Sequence, residues 1–456
     1  MGRRRLVTVG ACGVALLLTG PAWAQISSGA PLVLTLAEAI ARAVAASPEI
    51  RQVQQGVAAA EAKKDQADAG RFPQLSFTSV VGPSARARGT VLGSPDSVNE
   101  PTVDNVFTRQ DLRLVQPLYT FGKLSNLREA AAQGIQVERA RVDEKRGDVV
   151  LRVKEAYYGL LLARELWGLL GDIQEQLVKA LAKVERQLAA GAPGADEVDL
   201  YKLRTFAGEL RKNRGEVERG RDLALSGLRT LLDLSPGQTI EPAAKALDPE
   251  PRAIGPEAEQ VAEALRLRPE MAQLAAGLRA TEALVEVERS HFYPQLFAAI
   301  EGAFARAGNR TFQRNPFVND PVNTQYAVPV VGLKLDLDFG ITAGRVRAAM
   351  AEHRKLQETR TTAERGIPFQ VRKALLELAE ARQSIAATEE AYTNAKKWLV
   401  AAVANFDLGV GEAKEVADGM VAFVRMRADN YRAIYNFNLA LANLDHAAGR
   451  DAREAR

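Results

Sequence analysis

Residues 121–130 read FGKLSNLREA and residues 339–348 read FGITAGRVRA, and the distance between them decides how the chain is built. Moved forward by 218 positions without a gap, Phe121-Gly122 falls on Phe339-Gly340, Ala156 on Ala374, Leu160 on Leu378, Arg164 on Arg382, Gly191 on Gly409 and Glu197-Val198 on Glu415-Val416. Register holds as far as Asp199. A second alignment, displaced by 221, lays Ser47-Pro48-Glu49-Ile50 on Arg268-Pro269-Glu270-Met271 and Phe72-Pro73-Gln74-Leu75 on Tyr293-Pro294-Gln295-Leu296. The chain is therefore one unit of about 220 residues used twice, a period too long for a solenoid of short repeats.

Outward from the repeat, the expected division is a leader at 1–24, a first unit at 25–237, a connector at 238–256 and a second unit at 257–456. The leader has Arg3, Arg4 and Arg5, an apolar run from Leu6 to Leu18, and Ala22-Trp23-Ala24 before Gln25. That is the pattern of a cleaved signal peptide. Its arginines supply three of the +4 net charge, so no basic surface for nucleic acid is expected. The one cysteine, Cys12, lies inside it. Apolar residues make up 47% of the chain but aromatics only 6%, the profile of long Ala- and Leu-rich helices packed on each other.

Periodicity assigns the elements. Thr35 with Glu38 forms a capping box that starts a helix near Leu36, interrupted at Ser47-Pro48. After Phe72-Pro73 the period drops to two. Strands are expected from Gln74 to Val81 and from Phe107 to Leu118, a hairpin over about 74–118 with an exposed loop from Gly82 to Asn105. From Gly122 a helical seam through Val149, Val153, Tyr157, Leu160, Arg164, Trp167, Leu170, Gln174, Leu177, Leu181, Val184 and Leu188 predicts a helix over 122–190. No proline interrupts it, so a rod on the order of 100 Å follows. Beyond the turn at Gly191, Asp196 or Asp199 caps a returning helix. The second unit repeats the plan: a hairpin over about 295–339 with a loop from Gly308 to Pro321, a helix over 340–408 that Pro368 should kink or break, and another returning helix. Val331, Leu333, Leu335, Leu337 and Phe339 face one way, and Gly332, Lys334, Asp336 and Asp338 the other, a pattern that suits either a soluble sheet on a core or a barrel wall between lipid and water. Four strands cannot close a spanning barrel, which needs at least about eight, so several copies must share one.

Several pieces together resemble the TolC-like outer-membrane efflux proteins. They are Leu34-Thr35-Leu36-Ala37-Glu38-Ala39 with Ser47-Pro48-Glu49, the two Pro-Gln-Leu strand starts, Gln116-Pro117-Leu118-Tyr119 with Phe121-Gly122, and the turn Phe406-Asp407-Leu408-Gly409-Val410. The resemblance covers the chain beyond the leader. It implies a mainly α fold with a β-barrel portion: a homotrimer in which twelve strands, four per chain, close one barrel in the outer membrane above a helical tunnel through the periplasm. An inner-membrane pump and a periplasmic adaptor protein would dock on the helical end. In that reading Glu197, Glu415 and Asp418 ring the narrow periplasmic mouth and favour cations, Phe406 is an aromatic of the tip, and adaptor hairpins grip Ala190, Gly191, Ala192 and Leu408, Gly409, Val410. Gly411 stands where some relatives carry an arginine that latches the gate. No cofactor is implied. An enzyme is not indicated, since His291, His353 and His446 lack any partner spacing and no phosphate loop or nucleophile motif occurs. The competing reading is a soluble periplasmic coiled-coil scaffold or adaptor, which should carry lipoyl-like or barrel domains between its helices; none is legible.

Overall fold

The computed structural model describes residues 31–89, 98–191, 196–235, 237–315, 317 and 319–454. The expected signal peptide, Cys12 and the turn residue Ala192 lie outside the described residues. The chain begins with a short strand β1 (Leu32–Leu34), then α1 (Leu36–Ala46) and α2 (Pro48–Ala69). The Thr35 side chain accepts from the Glu38 N–H while Glu38 Oε2 accepts from the Thr35 N–H, closing the capping box at both ends. Ser47 ends α1 and caps α2, whose first residue is Pro48, where a missing N–H costs nothing.

Four antiparallel strands form one sheet in the order β2 (Gln74–Arg88), β3 (Val98–Tyr119), β5 (Gln295–Ala307) and β6 (Gln325–Lys334). The first pair runs much further than its alternation suggested. β2 and β3 remain paired from Gln74 opposite Val115 to Arg88 opposite Val98, so most of the expected Gly82 to Asn105 loop is strand. Shifts of register between Ser84 and Ala87 absorb the irregularity that Gly and Pro announce. The other hairpin is shorter at its inner end, for β6 stops at Lys334. Asp338 is not a wall residue: its carboxylate accepts from the Thr342 N–H (2.9 Å) and hydroxyl, serving the start of the next helix.

The long helices are α3 (Lys123–Ala189) and α7 (Ile341–Asp407), each 67 residues, about 100 Å. They are answered by α4 (Glu197–Leu231) and α8 (Ala413–Ala447). Between the halves lies β4 (Ile240–Pro242), which pairs in parallel with β1 from within the connector expected to be irregular; the second half then opens with α5 (Glu257–Leu267) and α6 (Pro269–Arg289), and α9 (Asp451–Glu454) follows α8. Pro368 does not break α7. Ile367 and Val371 on either side of it are buried against α5 and α8, and that packing carries the helix across the missing hydrogen bond.

Three cores hold the helices. One joins α1, the middle of α3, the end of α4 and the β1–β4 pair. A second joins α7 to α5 and α8 through Val371, Leu378, Phe437 and Leu441. The third lies toward the helical tip, where Ile173, Leu177 and Val184 of α3 meet Leu203 and Phe206 of α4, Leu399 and Phe406 of α7, and Val416 and Met420 of α8. Each such side chain taken from water contributes about 1.5–3 kcal/mol, so the tip is held as four antiparallel helices. Gln174, expected in the α3 seam, is exposed, and Ile173 takes the buried place beside it.

Candidate channel wall and mouth

Pairing sorts the sheet into two unlike faces. Leu75 lies opposite Leu114, Phe77 opposite Leu112, Leu114 opposite Ile300, and Leu296 opposite Leu333, so these side chains share a face. Phe77 is 64% exposed, Ile300 47% and Val331, on the same face, 72%. A soluble sheet would bury such a face. The opposite face is mixed but carries the charge: Ser76 and Thr78 of β2, Arg109, Asp111 and Arg113 of β3, and Glu301 of β5 share it with Val80 of β2 and Tyr326, Val328 and Val330 of β6. Arg113 meets Glu301 at 3.1 Å across the strands, and Arg109 meets Asp111 at 2.8 Å. Hydrocarbon suits the first face and water the second. Among the described residues no helix is long and apolar enough to cross a membrane.

Where sheet becomes helix, aromatics gather. Phe121 stacks on Tyr293 at 5.2 Å and meets Tyr119 edge-on at 4.7 Å, while Phe72, Phe292 and Phe339 are exposed nearby in sequence. A belt of such rings suits the boundary between lipid and water. Phe121 and Phe339, equivalent in the repeat, both take φ near +47°, a left-handed conformation unusual for a bulky residue, and each is followed by a glycine of positive φ. The same backbone bend thus turns strand into helix in both halves.

At the other end the Gly409 turn is a Schellman motif. The Gly409 N–H donates to the Phe406 carbonyl and the Val410 N–H to the Asn405 carbonyl, both at 3.1 Å. Gly409 has φ +79° and Gly191 +62°, as the motif requires. Gly411 has its own reason: a Cβ there would stand 2.9–3.0 Å from Asn405 and the Phe406 backbone, so no arginine fits. Ala190, Gly191, Leu408, Gly409 and Val410 are all exposed at the tip.

The expected mouth residues divide. Glu197 and Glu415 are exposed in the first turns of α4 and α8, Asp418 is exposed one turn further along α8, and among the described residues no ion pair engages Glu415 or Asp418. Phe406 is different. It is 6% exposed and packs within the tip core rather than standing free as the three carboxylates do. Its cover is Lys183 of α3, whose ammonium lies 4.0 Å from the ring centroid, donates to the Phe406 carbonyl (2.8 Å) and pairs with Asp407 (3.1 Å). Nothing local in the sequence signals a contact between residues so far apart. Asp196, not Asp199, caps α4, accepting from the Val198 N–H. Asp199 instead turns toward α8, where burial, joined by Asp196 and Glu412, pushes its carboxyl above the usual range. No group of three His, Cys, Asp or Glu capable of holding a metal occurs among the described residues.

One apolar and one polar sheet face, a belt of aromatics and a long helical stem define the wall of an outer-membrane channel. A model of the family described as Outer membrane efflux protein matches residues 39–234 and 261–450, and the chain belongs to that family. It is a TolC-like efflux channel of the outer membrane with a periplasmic helical part, and not an enzyme. Solved structures share the fold. CusC superposes with a TM-score of 0.74 at 17% identity over 92% of this chain and 93% of that one. The Campylobacter jejuni CmeC outer membrane channel gives 0.73 at 13% over 98% and 94%, and the open state of the Neisseria gonorrhoeae MtrE outer membrane channel 0.71 at 16% over 91% and 88%. Among curated proteins, none matches this chain in sequence.

Proposed function

We propose that three copies of the chain close one twelve-stranded barrel and one helical tunnel, through which an inner-membrane pump, joined by a periplasmic adaptor protein, exports its cargo. The observation that carries this is the four-stranded sheet: its outer face is apolar and exposed, its edge strands β2 and β6 have no partner strand on their outer sides among the described residues, apart from the contact of Ala87 with residues 309–311, and four strands are too few to enclose a pore. Exposed apolar side chains along α7, among them Leu376, Trp398 and Val400, supply a flank for a neighbouring copy. At the tip, Glu197, Glu415 and Asp418 repeated three times would surround a narrow mouth with like charge, concentrating cations and repelling anions. Ala190, Gly191 and Ala192 with Leu408, Gly409 and Val410 form the grip for the adaptor. The test is conductance in a planar bilayer under a salt gradient. The wild-type pore should prefer cations, and Glu415→Ala with Asp418→Ala should move its reversal potential toward zero. A chain that forms no pore would overturn the shared barrel; a pore whose reversal potential is unmoved would remove these carboxylates from the mouth.

A further inference from the structure

The connection from β5 to β6 does not simply extend beyond the sheet. Its first residues turn back and bond to β2: the Ala87 N–H donates to the Asn309 carbonyl (3.3 Å) and the Thr311 N–H to the Ala87 carbonyl (3.0 Å). In the sheet β3 lies between β5 and β2, so this segment crosses β3. The side it crosses on follows from its partners. Ser84 and Arg109 belong to the polar face, in step with Thr78 and Asp111. Ser84 Oγ donates to Asn309 Oδ1 (2.8 Å), Asn309 Nδ2 donates to the Ser84 carbonyl (2.8 Å) and to Asp104 Oδ1 (2.6 Å), and Arg109 Nη1 donates to the Pro321 carbonyl (2.9 Å).

Buried polar groups in a loop at a sheet end cost free energy unless paired, and these are paired. Ser84, Asn309, Asp320 and Asn323 are all buried. Asn323 Nδ2 donates to the Arg310 carbonyl (3.1 Å), and Arg310 bonds both Asp320 (2.8 Å) and the Ala85 carbonyl (2.9 Å). Ala303, Ala305 and Ala307 of β5 are buried on the polar face although the sheet is open.

We propose that this strap lies inside the pore and narrows its outer end as a filter by size. The proposal rests on the barrel reading, which makes the polar face the lumen. Charge plays a smaller part in it, because three of the cations held there have acidic partners: Arg310 with Asp320, Arg109 with Asp111, and Arg86 with Asp104. The outer end thereby differs from the proposed periplasmic mouth, where among the described residues no ion pair engages Glu197, Glu415 or Asp418.

Thiol labelling of intact cells tests it, in a chain with Cys12→Ala. Thr78→Cys places a thiol on the lumenal face, six residues or about 20 Å below Ser84; Phe77→Cys places one on the lipid face. A small charged methanethiosulfonate should modify only the former, and a maleimide on a polyethylene glycol chain should reach it slowly. Adding Ser84→Ala and Asn309→Ala should raise the bulky reagent's rate about tenfold while leaving the small reagent's rate unchanged. Should that double variant not reach the membrane, Arg310→Ala removes the ties to Ala85 and Asp320 and is read in the same way. If Thr78→Cys and Phe77→Cys react alike with the small reagent, the barrel reading falls. If only Thr78→Cys reacts and the bulky reagent gains nothing from unpinning, the strap is not the filter and the barrel stands.

Discussion

α3 and α7 have the same length and descend from one repeated unit, yet they occupy different surroundings. α3 is packed along its length by α1, α2, α4, α6, α8 and α9, whereas α7 packs mainly on α5, α6 and α8, touches α3 toward the tip, and leaves large apolar side chains in the open. Equivalent positions make the contrast concrete. Tyr158 is buried and donates to Glu250, while its counterpart Leu376 is 62% exposed. Lys154 is buried, while its counterpart Arg372 is in solvent. Duplication supplied two copies of a helix; only one found its partners within the chain. In the assembly proposed above, the other keeps a face for a neighbouring copy.

The largest effect should come from Lys154. Its ammonium bonds Asp451 at 2.8 Å and Glu454 at 2.7 Å, tying the end of the chain to the middle of α3. Burial alone would depress its pKa, but the two carboxylates outweigh burial and raise it. Lys154→Ala strands Asp451 without its cation and should cost about 3–5 kcal/mol. Arg372→Ala should stay within about 0.5 kcal/mol. Thermal unfolding in detergent checks both, and equal losses would erase the distinction between the two helices. Next is the open flank of α7: Leu376→Lys should shift the detergent-extracted protein from three chains to one by native mass, whereas a mass still equal to three chains would place the subunit contact elsewhere. The smallest effect concerns pH. His446, whose counterpart Leu228 is fully buried, lies 3.6 Å from Asp451 and 3.9 Å from Asp148. The Asp451 carboxylate, aided by Asp148, raises the imidazole pKa above its ordinary 6.5 against the opposing pull of burial and of Arg268. Stability from this contact is full below pH 6.5 and lost as pH rises through the higher folded value. The fall in melting temperature between about pH 6 and about pH 8.5 should therefore be smaller in His446→Gln than in the wild type; equal falls would acquit His446.

Long helices, the repeat and the capping box were legible because their causes are local: a period, a hydroxyl three residues before a carboxylate, a glycine after the last turn. What escaped depends on distance. Three-residue strands such as β1 and β4 have no period to detect, and their pairing joins residues some 200 positions apart. The long outer part of β2 and β3 reads as loop because Pro83 and Pro101 belong to it, and only the partner strand makes them extended. At the tip, Glu197, Glu415 and Asp418 stand exposed, but the burial of Phe406 was hidden because its surroundings include Lys183 and other residues of the first half.

The two free edges of the sheet have a further consequence. Three antiparallel pairings separate β2 from β6, so the edges run in opposite directions. A β6 edge can therefore meet the β2 edge of the next copy in the antiparallel sense in a ring of any size. Strand direction forbids neither two copies nor four. In the proposed ring the sheet would enforce only that copies follow head to tail, and arithmetic would be left to the helices: how sharply α7 leans on a neighbouring copy would set the angle between successive copies, and hence the copy number at which the ring shuts.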